Sequence, residues 1–265
     1  MNIKGKVIWI TGASSGMGEA LALEANSLGA NVIISARNVE KLNALSAKFV
    51  DNSNHLILPF DVSKIENTDT LMNAVIEKFG RIDILINNAG IAQKSFAIET
   101  TQQVEQQIMD TNFFGIVTLS KAVAMQMIKQ GGGQIAVTTS LLGKFGLPMY
   151  AAYCASKHAL YGYFDAWRGE LQSKNVSINI VCPGNINTNV SYNSLLGNGE
   201  LMQQNSPAQA KGMDAKVAAK KILKAISNNQ RHSYIGRFDI LAVPFRNFAP
   251  GIFYWLIGKM QKQKI

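Results

Sequence analysis

The chain has 265 residues, 47% hydrophobic and 16% charged, and a formal net charge of +9. This composition excludes a disordered chain and is sufficient for one large globular domain with a buried core. The positive residues are scattered, which argues against a nucleic-acid interface and fits a solvated surface suited to an anionic small molecule. Two cysteines and three histidines form no disulfide framework or metal motif. We therefore expect no bound metal, and we expect the protein to lie in a reducing compartment.

Short β-branched runs alternate with amphipathic stretches along the chain, and this alternation predicts an α/β fold with a doubly wound parallel sheet covered by helices on both faces. The predicted strands, about seven, are 7–10, 31–35, 55–58, 82–86, 134–138, 177–181 and 233–235. The predicted helices are 16–28, 39–49, 65–79, 101–129, 151–173 and 214–227. In such a sheet, ligands bind beyond the carboxyl ends of the strands.

A glycine-rich turn, Thr-Gly-Ala-Ser-Ser-Gly-Met-Gly at 11–18, joins the first predicted strand to the first helix. Glycines there allow positive φ and close approach to a pyrophosphate, whose charge a helix N-terminus stabilises. The spacing differs from Gly-x-Gly-x-x-Gly, and the turn lacks the Gly-Lys-Ser/Thr of a P-loop. We predict a dinucleotide cradle; the alternative is a tight turn without a ligand. The predicted cradle residues are Gly12, Ser14, Ser15, Gly16, Met17 and Gly18.

The second predicted strand ends in Ser35-Ala36-Arg37-Asn38, without a carboxylate. A carboxylate here would accept hydrogen bonds from the ribose 2′-hydroxyl of NAD and repel a 2′-phosphate. The guanidinium of Arg37 suits a phosphate. NADP(H) is therefore predicted, with NAD(H) as the alternative; the other interpretation of Arg37 is a loop cap in solvent.

Residues 153–157 read Tyr-Cys-Ala-Ser-Lys, which places the phenol of Tyr153 and the ammonium of Lys157 on one helix face. A cation favours the phenolate and lowers a phenol pKa from its usual ~10. The pair therefore predicts a tuned proton donor, although a long helix can carry it by chance. Tyr150 has Cys154 four residues on and is not expected to be the acid.

Together these motifs resemble the classical short-chain dehydrogenase/reductase family over about residues 4–234. The resemblance rests on the glycine turn, Asp61-Val62, Asn87-Asn88-Ala89-Gly90, Asn112, Ser140, the Tyr153/Lys157 pair, and Pro183-Gly184 followed by Thr188. It implies a Rossmann-like doubly wound fold, a nicotinamide cofactor, and hydride transfer to or from a carbonyl or secondary alcohol.

The resemblance also implies residue roles. Tyr153 is the general acid/base, Ser140 hydrogen-bonds the substrate oxygen, Lys157 lowers the pKa of Tyr153 and holds the nicotinamide ribose, and Asn112 organises a water that links Lys157 to solvent. The implied cofactor contacts are Asp61 and Val62 at the adenine, Asn88, Ala89 and Gly90 beside the adenosine ribose, Pro183, Gly184 and Ile186 around the nicotinamide, and Thr188 at its carboxamide.

Two partly apolar segments, 141–149 and 190–210, are expected to line the substrate side and to favour a lipophilic carbonyl or alcohol. The same side chains could equally be lid packing. The glycine- and asparagine-rich 193–199 predicts a mobile lid at about 190–212. Residues 1–237 are expected to form the catalytic domain, and 238–265 an apolar, lysine-tipped extension of it.

The extension is split by Pro244 and Pro250 and is too interrupted to span a bilayer. The favoured interpretation is packing over the substrate pocket or onto a second subunit. The alternative is an interfacial anchor in which residues 253–256, Phe-Tyr-Trp-Leu, insert and nearby lysines meet anionic headgroups.

The favoured function is an NADP(H)-dependent carbonyl reductase or alcohol dehydrogenase. The alternatives are an NAD-dependent alcohol dehydrogenase of the same family and a non-catalytic dinucleotide-binding or membrane-surface protein. The joint presence of Asn112, Ser140, Tyr153 and Lys157 favours the enzyme. The helices at 101–129 and 151–173 resemble the family's dimer-forming pair, so a homodimer or homotetramer is expected. The N-terminus leads directly into the first strand without a signal peptide, so cytoplasmic residence is expected.

Overall fold

A seven-stranded parallel sheet lies at the centre of the computed structural model, which describes residues 3–50, 53–65 and 67–262. The strands are β1 Val7–Thr11, β2 Asn31–Ser35, β3 His55–Ile57, β4 Ile84–Asn87, β5 Gly133–Thr138, β6 Val176–Pro183, β7 Ile186–Asn187, β8 Met213–Asp214 and β9 His232–Ile235. The main sheet has the order β3-β2-β1-β4-β5-β6-β9, and β7 pairs separately with β8. Strands β2 and β3 are added on one side of β1, and β4 and the later strands on the other side. This switch between β1 and β4 creates a crevice at their carboxyl ends.

Helices cover both faces of this sheet. They are α1 Gly16–Ser27, α2 Val39–Ser46, α3 Thr68–Phe79, α4 Gln102–Met109, α5 Gly115–Lys129, α6 Ala151–Leu171, α7 Pro207–Ala210, α8 Ala215–Ser227, α9 Ala242–Phe248 and α10 Pro250–Lys262. One core cluster joins the sheet to α1, α2 and α8, and a second joins it to α3, α5 and α6. The predicted Rossmann-like, doubly wound α/β fold is confirmed.

Strand β1 shows why these central strands are continuously apolar. Ile8 and Ile10 belong to the core cluster on the α1 and α8 face, whereas Val7 and Trp9 belong to the cluster on the opposite face. Successive side chains of a strand point to opposite faces, so a strand covered on both sides buries all of them. The run Val-Ile-Trp-Ile satisfies that requirement.

The predicted helix at 101–129 is divided by a π-helical turn, Asp110–Phe114, between α4 and α5. A π turn inserts one extra residue into the helical ladder, and such turns occur frequently at functional sites. Asn112 lies within it. The sequence pattern alone did not reveal this turn, because the buried Ile108 and Ile116 on either side of it have a spacing that a continuous helix also shows.

Two predicted helix boundaries are wrong by three residues. Helix α3 begins at Thr68 rather than 65, because the side chain of Asn67 caps it by accepting from the backbone N–H groups of Asp69 and Thr70. Helix α2 ends at Ser46 rather than 49. The backbone there tightens into i to i+3 bonds, with the N–H of Phe49 donating to the carbonyl of Ser46 at 3.0 Å.

The segment after β9 forms two helices that the sequence did not predict. Pro250 is the first residue of α10, where its missing N–H costs nothing. The side chain of Phe253 is buried against Phe145, with 5.0 Å between ring centroids. Phe253 is therefore not free to insert into a membrane, and that part of the anchor interpretation is wrong. Within the ranges given above, no helix is both long and apolar enough to cross a bilayer.

Candidate active site

The glycine turn after β1 forms a close-packed cradle. Gly12 and Gly16 have φ of 65° and 58°, the left-handed region that other residues avoid. A Cβ on Gly18 would lie 2.1 Å from the carbonyl oxygen of Gly12. Ser15 is the N-cap residue of α1, yet in the part of the chain that the structure describes its side chain caps no N–H. The first N–H groups of α1 remain available to an anion, so the turn fits the predicted pyrophosphate.

The loop after β4 is bonded directly to this turn. The hydroxyl of Thr11 accepts from the backbone N–H groups of Asn88 and Ala89, both at 3.1 Å. The side-chain amide of Asn88 donates back to the carbonyl of Thr11 at 3.2 Å and to that of Gly12 at 3.4 Å. The predicted ribose-side residues therefore also hold the cradle in shape. Sequence reasoning assigned no role to Thr11, although a polar residue ending a buried strand is a usable signal.

The structure brings Ser140, Tyr153 and Lys157 together at the carboxyl end of β5. Ser140 follows that strand, and the other two lie in the first two turns of α6. Ser140 lies close enough to the phenol of Tyr153 to lower its pKa, against the larger effect of burial. The ammonium of Lys157 is buried, donates to the carbonyl of Thr138 at 3.0 Å, and lies 5.7 Å from the centroid of the Tyr153 ring.

Burial is the main cause of the pKa shifts of Tyr153 and Lys157. It raises the pKa of Tyr153 to about 12, partly opposed by the nearby Ser140. It lowers the pKa of Lys157 to about 8. The shift of Tyr153 is opposite to the one expected from Lys157, because desolvation of the phenolate outweighs the attraction of a cation that is directed to Thr138. At neutral pH the site therefore presents a protonated phenol beside a charged amine.

Asn112 braces three elements from the π turn. Its Oδ1 accepts from the N–H of Ile91 at 2.8 Å, and its Nδ2 donates to the carbonyl of Ile91 at 2.8 Å and to the hydroxyl of Ser156 at 3.1 Å. A Cβ on Gly90 would lie 3.1 Å from Oδ1 of Asn112 and 3.4 Å from the Lys157 ammonium. Asn112 thus fixes the loop after β4 against α6. Its implied role in a water relay stays a prediction.

Arg37 and Asp61 lie together at the adenine end of the crevice. Asp61 caps the turn Val62–Lys64 by accepting from the N–H of Ser63 at 2.9 Å, and its other carboxylate oxygen is 3.9 Å from a guanidinium nitrogen of Arg37. Val62 is buried beneath this end. The side chain of Arg37 is 68% exposed, so the pair contributes little stability and the guanidinium still faces solvent.

Two residues at the nicotinamide end were missed by sequence reasoning. Gln209 in α7 donates to the carbonyl of Ile186 at 3.1 Å and to the hydroxyl of Thr188 at 3.3 Å. Asp239, after β9, accepts from the N–H of Asn185 at 2.5 Å. A Cβ on Gly184 would overlap that carboxylate. No local pattern marked either residue, because both reach the site from distant positions in the chain.

Pro183 ends β6 and Ile186 begins β7, so the chain turns at Gly184 where the nicotinamide pocket was predicted. Thr188 reaches back to the cradle, since a Cβ on Gly16 would lie 3.1 Å from its side chain. The structure therefore brings Thr188, the predicted carboxamide contact, against the predicted pyrophosphate cradle.

The loop after Ser140 is held by packing on its outer side. Leu141 and Phe145 are buried in a cluster with Val243 and Phe253. For these two residues the packing interpretation, not direct substrate contact, accounts for the apolar character. Met149, at the end of the loop, has φ of 68°, and its carbonyl accepts from Ser95 and Gln93. This unfavourable conformation is imposed by bonds to the loop after β4.

Comparisons with known proteins agree with this arrangement. A sequence model described as short chain dehydrogenase matches residues 6–197. Human Dehydrogenase/reductase SDR family member 7 is 34% identical over 266 residues, which cover 98% of this chain and 78% of the relative. Dehydrogenase/reductase SDR family protein 7-like from Drosophila melanogaster is 35% identical over 263 residues, which cover 97% of this chain and 81% of the relative.

Solved structures show the same fold. A short chain dehydrogenase/reductase from Burkholderia phymatum in complex with NAD matches with a TM-score of 0.82 at 23% identity, covering 95% of this chain and 96% of that one. A short-chain dehydrogenase from Streptomyces avermitilis matches with a TM-score of 0.82 at 26% identity, covering 99% of this chain and all of the other. The chain belongs to the short-chain dehydrogenase/reductase family of oxidoreductases, which bind a nicotinamide dinucleotide.

Proposed function

We propose that this protein is an NADP(H)-dependent oxidoreductase that interconverts a lipophilic carbonyl compound and its secondary alcohol, with Tyr153 as general acid and base. The observation that carries the proposal is the grouping of Ser140, Tyr153 and the buried Lys157 at the carboxyl end of β5. A bound nicotinamide supplies the hydride in reduction and accepts it in oxidation. Every other requirement falls to side chains of this chain.

Reduction builds negative charge on the carbonyl oxygen, so a proton donor and a polar stabiliser must face it. Tyr153, with its pKa raised to about 12 by burial, retains a proton to give. Ser140 Oγ accepts from the N–H of Leu142 at 3.1 Å, and its O–H remains a donor that can face the substrate oxygen. We assign Ser140 to the substrate oxygen and Tyr153 to its protonation.

Lys157 stabilises the phenolate that remains after proton transfer. Its burial lowers its pKa to about 8, which still leaves it charged at neutral pH. Its ammonium lies 5.7 Å from the centroid of the Tyr153 ring, and it would hold the ribose hydroxyls of the cofactor. We assign Asn112 to the link between Lys157 and solvent, through a water beside the π turn.

The choice of NADP(H) over NAD(H) is supported by Arg37. The end of β2 carries this exposed guanidinium and no carboxylate, so a 2′-phosphate meets a cation there. The guanidinium lies 3.9 Å from Asp61 and still faces solvent, so it is accessible to a 2′-phosphate. The lipophilic substrate is supported by the half-buried Leu147 and Met149, which lie outside the apolar cluster that packs against α9 and α10, and by the exposed Tyr192 of the lid region.

We further propose a homodimer or homotetramer formed through α5 and α6, and cytoplasmic residence. The face of α5 and the adjacent π turn exposes Phe114, Met125 and Ile128, a set of large apolar side chains suited to a subunit interface. The two cysteines, Cys154 and Cys182, are free and buried, which is compatible with a reducing compartment.

Absorbance of the reduced nicotinamide, followed with NADPH or NADH across a panel of ketones, aldehydes and sterols, tests the proposal. Turnover with NADPH and an apolar ketone is expected. Faster turnover with NADH would assign the protein to an NAD-dependent dehydrogenase. Tight NADPH binding without turnover on any carbonyl or alcohol would indicate a non-catalytic dinucleotide-binding protein.

A further inference from the structure

Helices α9 and α10 carry a dense group of exposed large apolar side chains. We call this group the outer tail face. Its members are Leu241, Phe248, Ile252, Trp255 and Leu256. Phe248 is 89% exposed and Trp255 is 57% exposed. Large apolar side chains left exposed this close together along the chain indicate an interaction site.

The opposite side of the same helices is already packed on the domain. Val243 and Phe253 are buried in the cluster with Leu141 and Phe145, and Ile257 packs against it one turn after Phe253. Asp239 fastens the start of the segment by its bond to the N–H of Asn185. The helices are therefore held in place, and the residues of the outer tail face are not core residues that failed to dock.

Charge decides between the possible occupants of this surface. From residue 240 to 265 the sequence has one arginine, three lysines and no aspartate or glutamate. The ammonium of Lys259 lies 3.8 Å from the centroid of the Trp255 ring. A two-fold contact with a second copy would place these cations near the same cations of its partner, which is unfavourable. Apolar and aromatic side chains bordered by cations instead complement the interfacial zone of an anionic bilayer.

We propose that the outer tail face docks on the surface of an anionic lipid bilayer. Phe248, Ile252 and Trp255 enter the boundary between headgroups and acyl chains, and Arg246 and Lys259 meet lipid phosphates. Phe253 stays inside the protein. Docking in this orientation places α9 and α10, about 10 Å of helix, between the lipid and the loop that follows Ser140. An apolar substrate that leaves the bilayer would thus need to pass only about 10 Å of protein to reach that loop, a consequence that rests on the proposed function.

Tryptophan fluorescence provides a direct measurement of docking, independent of catalysis. The sequence contains three tryptophans. Trp9 is fully buried and Trp167 is half-buried, so the emission that responds to lipid comes from Trp255. Phosphatidylcholine vesicles containing phosphatidylserine should shift the emission of the full chain to the blue and carry the protein down in sedimentation. The signal should weaken as salt is added, because the attraction to headgroups is screened.

Substitutions separate the outer tail face from other exposed positions. Phe248→Glu and Ile252→Glu should each reduce vesicle binding about tenfold or more, and Lys259→Glu about fivefold or more. Ile98→Glu, at a residue 95% exposed on another surface, and Lys174→Glu, on the turn after α6, should bind like the wild type. Turnover of a water-soluble substrate should be unchanged in all five variants, so a failed catalytic assignment does not affect the outcome.

Three results would overturn the proposal. One is equal sedimentation of the wild type and Phe248→Glu with vesicles. Another is vesicle binding that is the same with and without phosphatidylserine. The third is a wild type that does not bind vesicles, together with a Phe248→Glu variant whose molecular mass in analytical ultracentrifugation is half that of the wild type. That last result would assign the outer tail face to a second copy of the chain.

Discussion

The ammonium of Lys157 donates to the main-chain carbonyl of Thr138 at 3.0 Å, so the last residue of β5 fixes a side chain that belongs to α6. A strand carbonyl inside a seven-stranded sheet is among the most rigid acceptors in a domain. Lys157 is therefore oriented by the sheet, and not by the phenol one helical turn away. Lys157 and Tyr153 are both buried, and the pKa of each is therefore set mainly by its own burial.

Tyr153→Phe should lower kcat by about 10²- to 10⁴-fold, the usual contribution of a positioned acid, while NADPH affinity changes little. Tyr150→Phe is the matched control, because it removes a phenol three residues away that caps α6 by its backbone only. Its kcat should stay within a factor of a few of the wild type. Steady-state rates and NADPH titration measure both variants, and equal loss in the two would contradict the assignment of Tyr153.

The pH dependence of reduction should report Lys157. Its pKa is lowered to about 8 by burial, so the positive charge is present below that pH and lost as pH rises through it. Tyr153, with a pKa raised to about 12, stays protonated throughout. The kcat/KM for NADPH should be level below pH about 8 and fall above it. A profile that stays level through this region would contradict the assignment to Lys157.

Much of this site could be predicted from the sequence because its residues stand at the ends of strands. Gly12 follows β1 and Ser140 follows β5, and parallel strands bring their carboxyl ends to one edge. The rest could not be predicted for a physical reason. Gln209 and Asp239 act through contacts made only after distant segments fold together. The raised pKa of Tyr153 depends on burial, which spacing along a helix does not reveal.

Thr11→Val should destabilise the protein by about 1 kcal/mol or more and weaken cofactor binding, because two part-buried N–H groups lose their acceptor. Thr138→Val is the matched control. Its hydroxyl is buried without a partner among the residues described, so its removal should leave the free energy of unfolding unchanged or higher. Urea unfolding measures both. A larger loss from Thr138→Val would contradict the role given to Thr11.

Arg37→Ala should raise the KM for NADPH about tenfold to a hundredfold and leave the KM for NADH nearly unchanged. The reason is the loss of a charge-assisted contact that only the 2′-phosphate makes. Lys41→Ala removes a nearby exposed cation of α2 and serves as the control for general charge. Equal effects of Arg37→Ala on both cofactors, measured by initial rates, would instead indicate that Arg37 only borders the crevice.

Gly184→Ala should couple the tail to the cofactor site. The new methyl group would overlap the carboxylate of Asp239, which must then release the N–H of Asn185 and shift the turn before β7. Overpacking of this kind costs about 1–3 kcal/mol, and here it displaces the turn at which we propose the nicotinamide pocket. We expect a lower Tm together with a higher KM for NADPH.

Gly169→Ala is the control, because a Cβ there, on the exposed side of α6, meets no neighbouring atom and alanine favours a helix. Its Tm should equal or exceed that of the wild type. The second variant Asp239→Ala removes the overlap, so combining it with Gly184→Ala should restore part of the lost stability. If the double variant is as unstable as the sum of both single ones, Asp239 is not the group that excludes a side chain at residue 184.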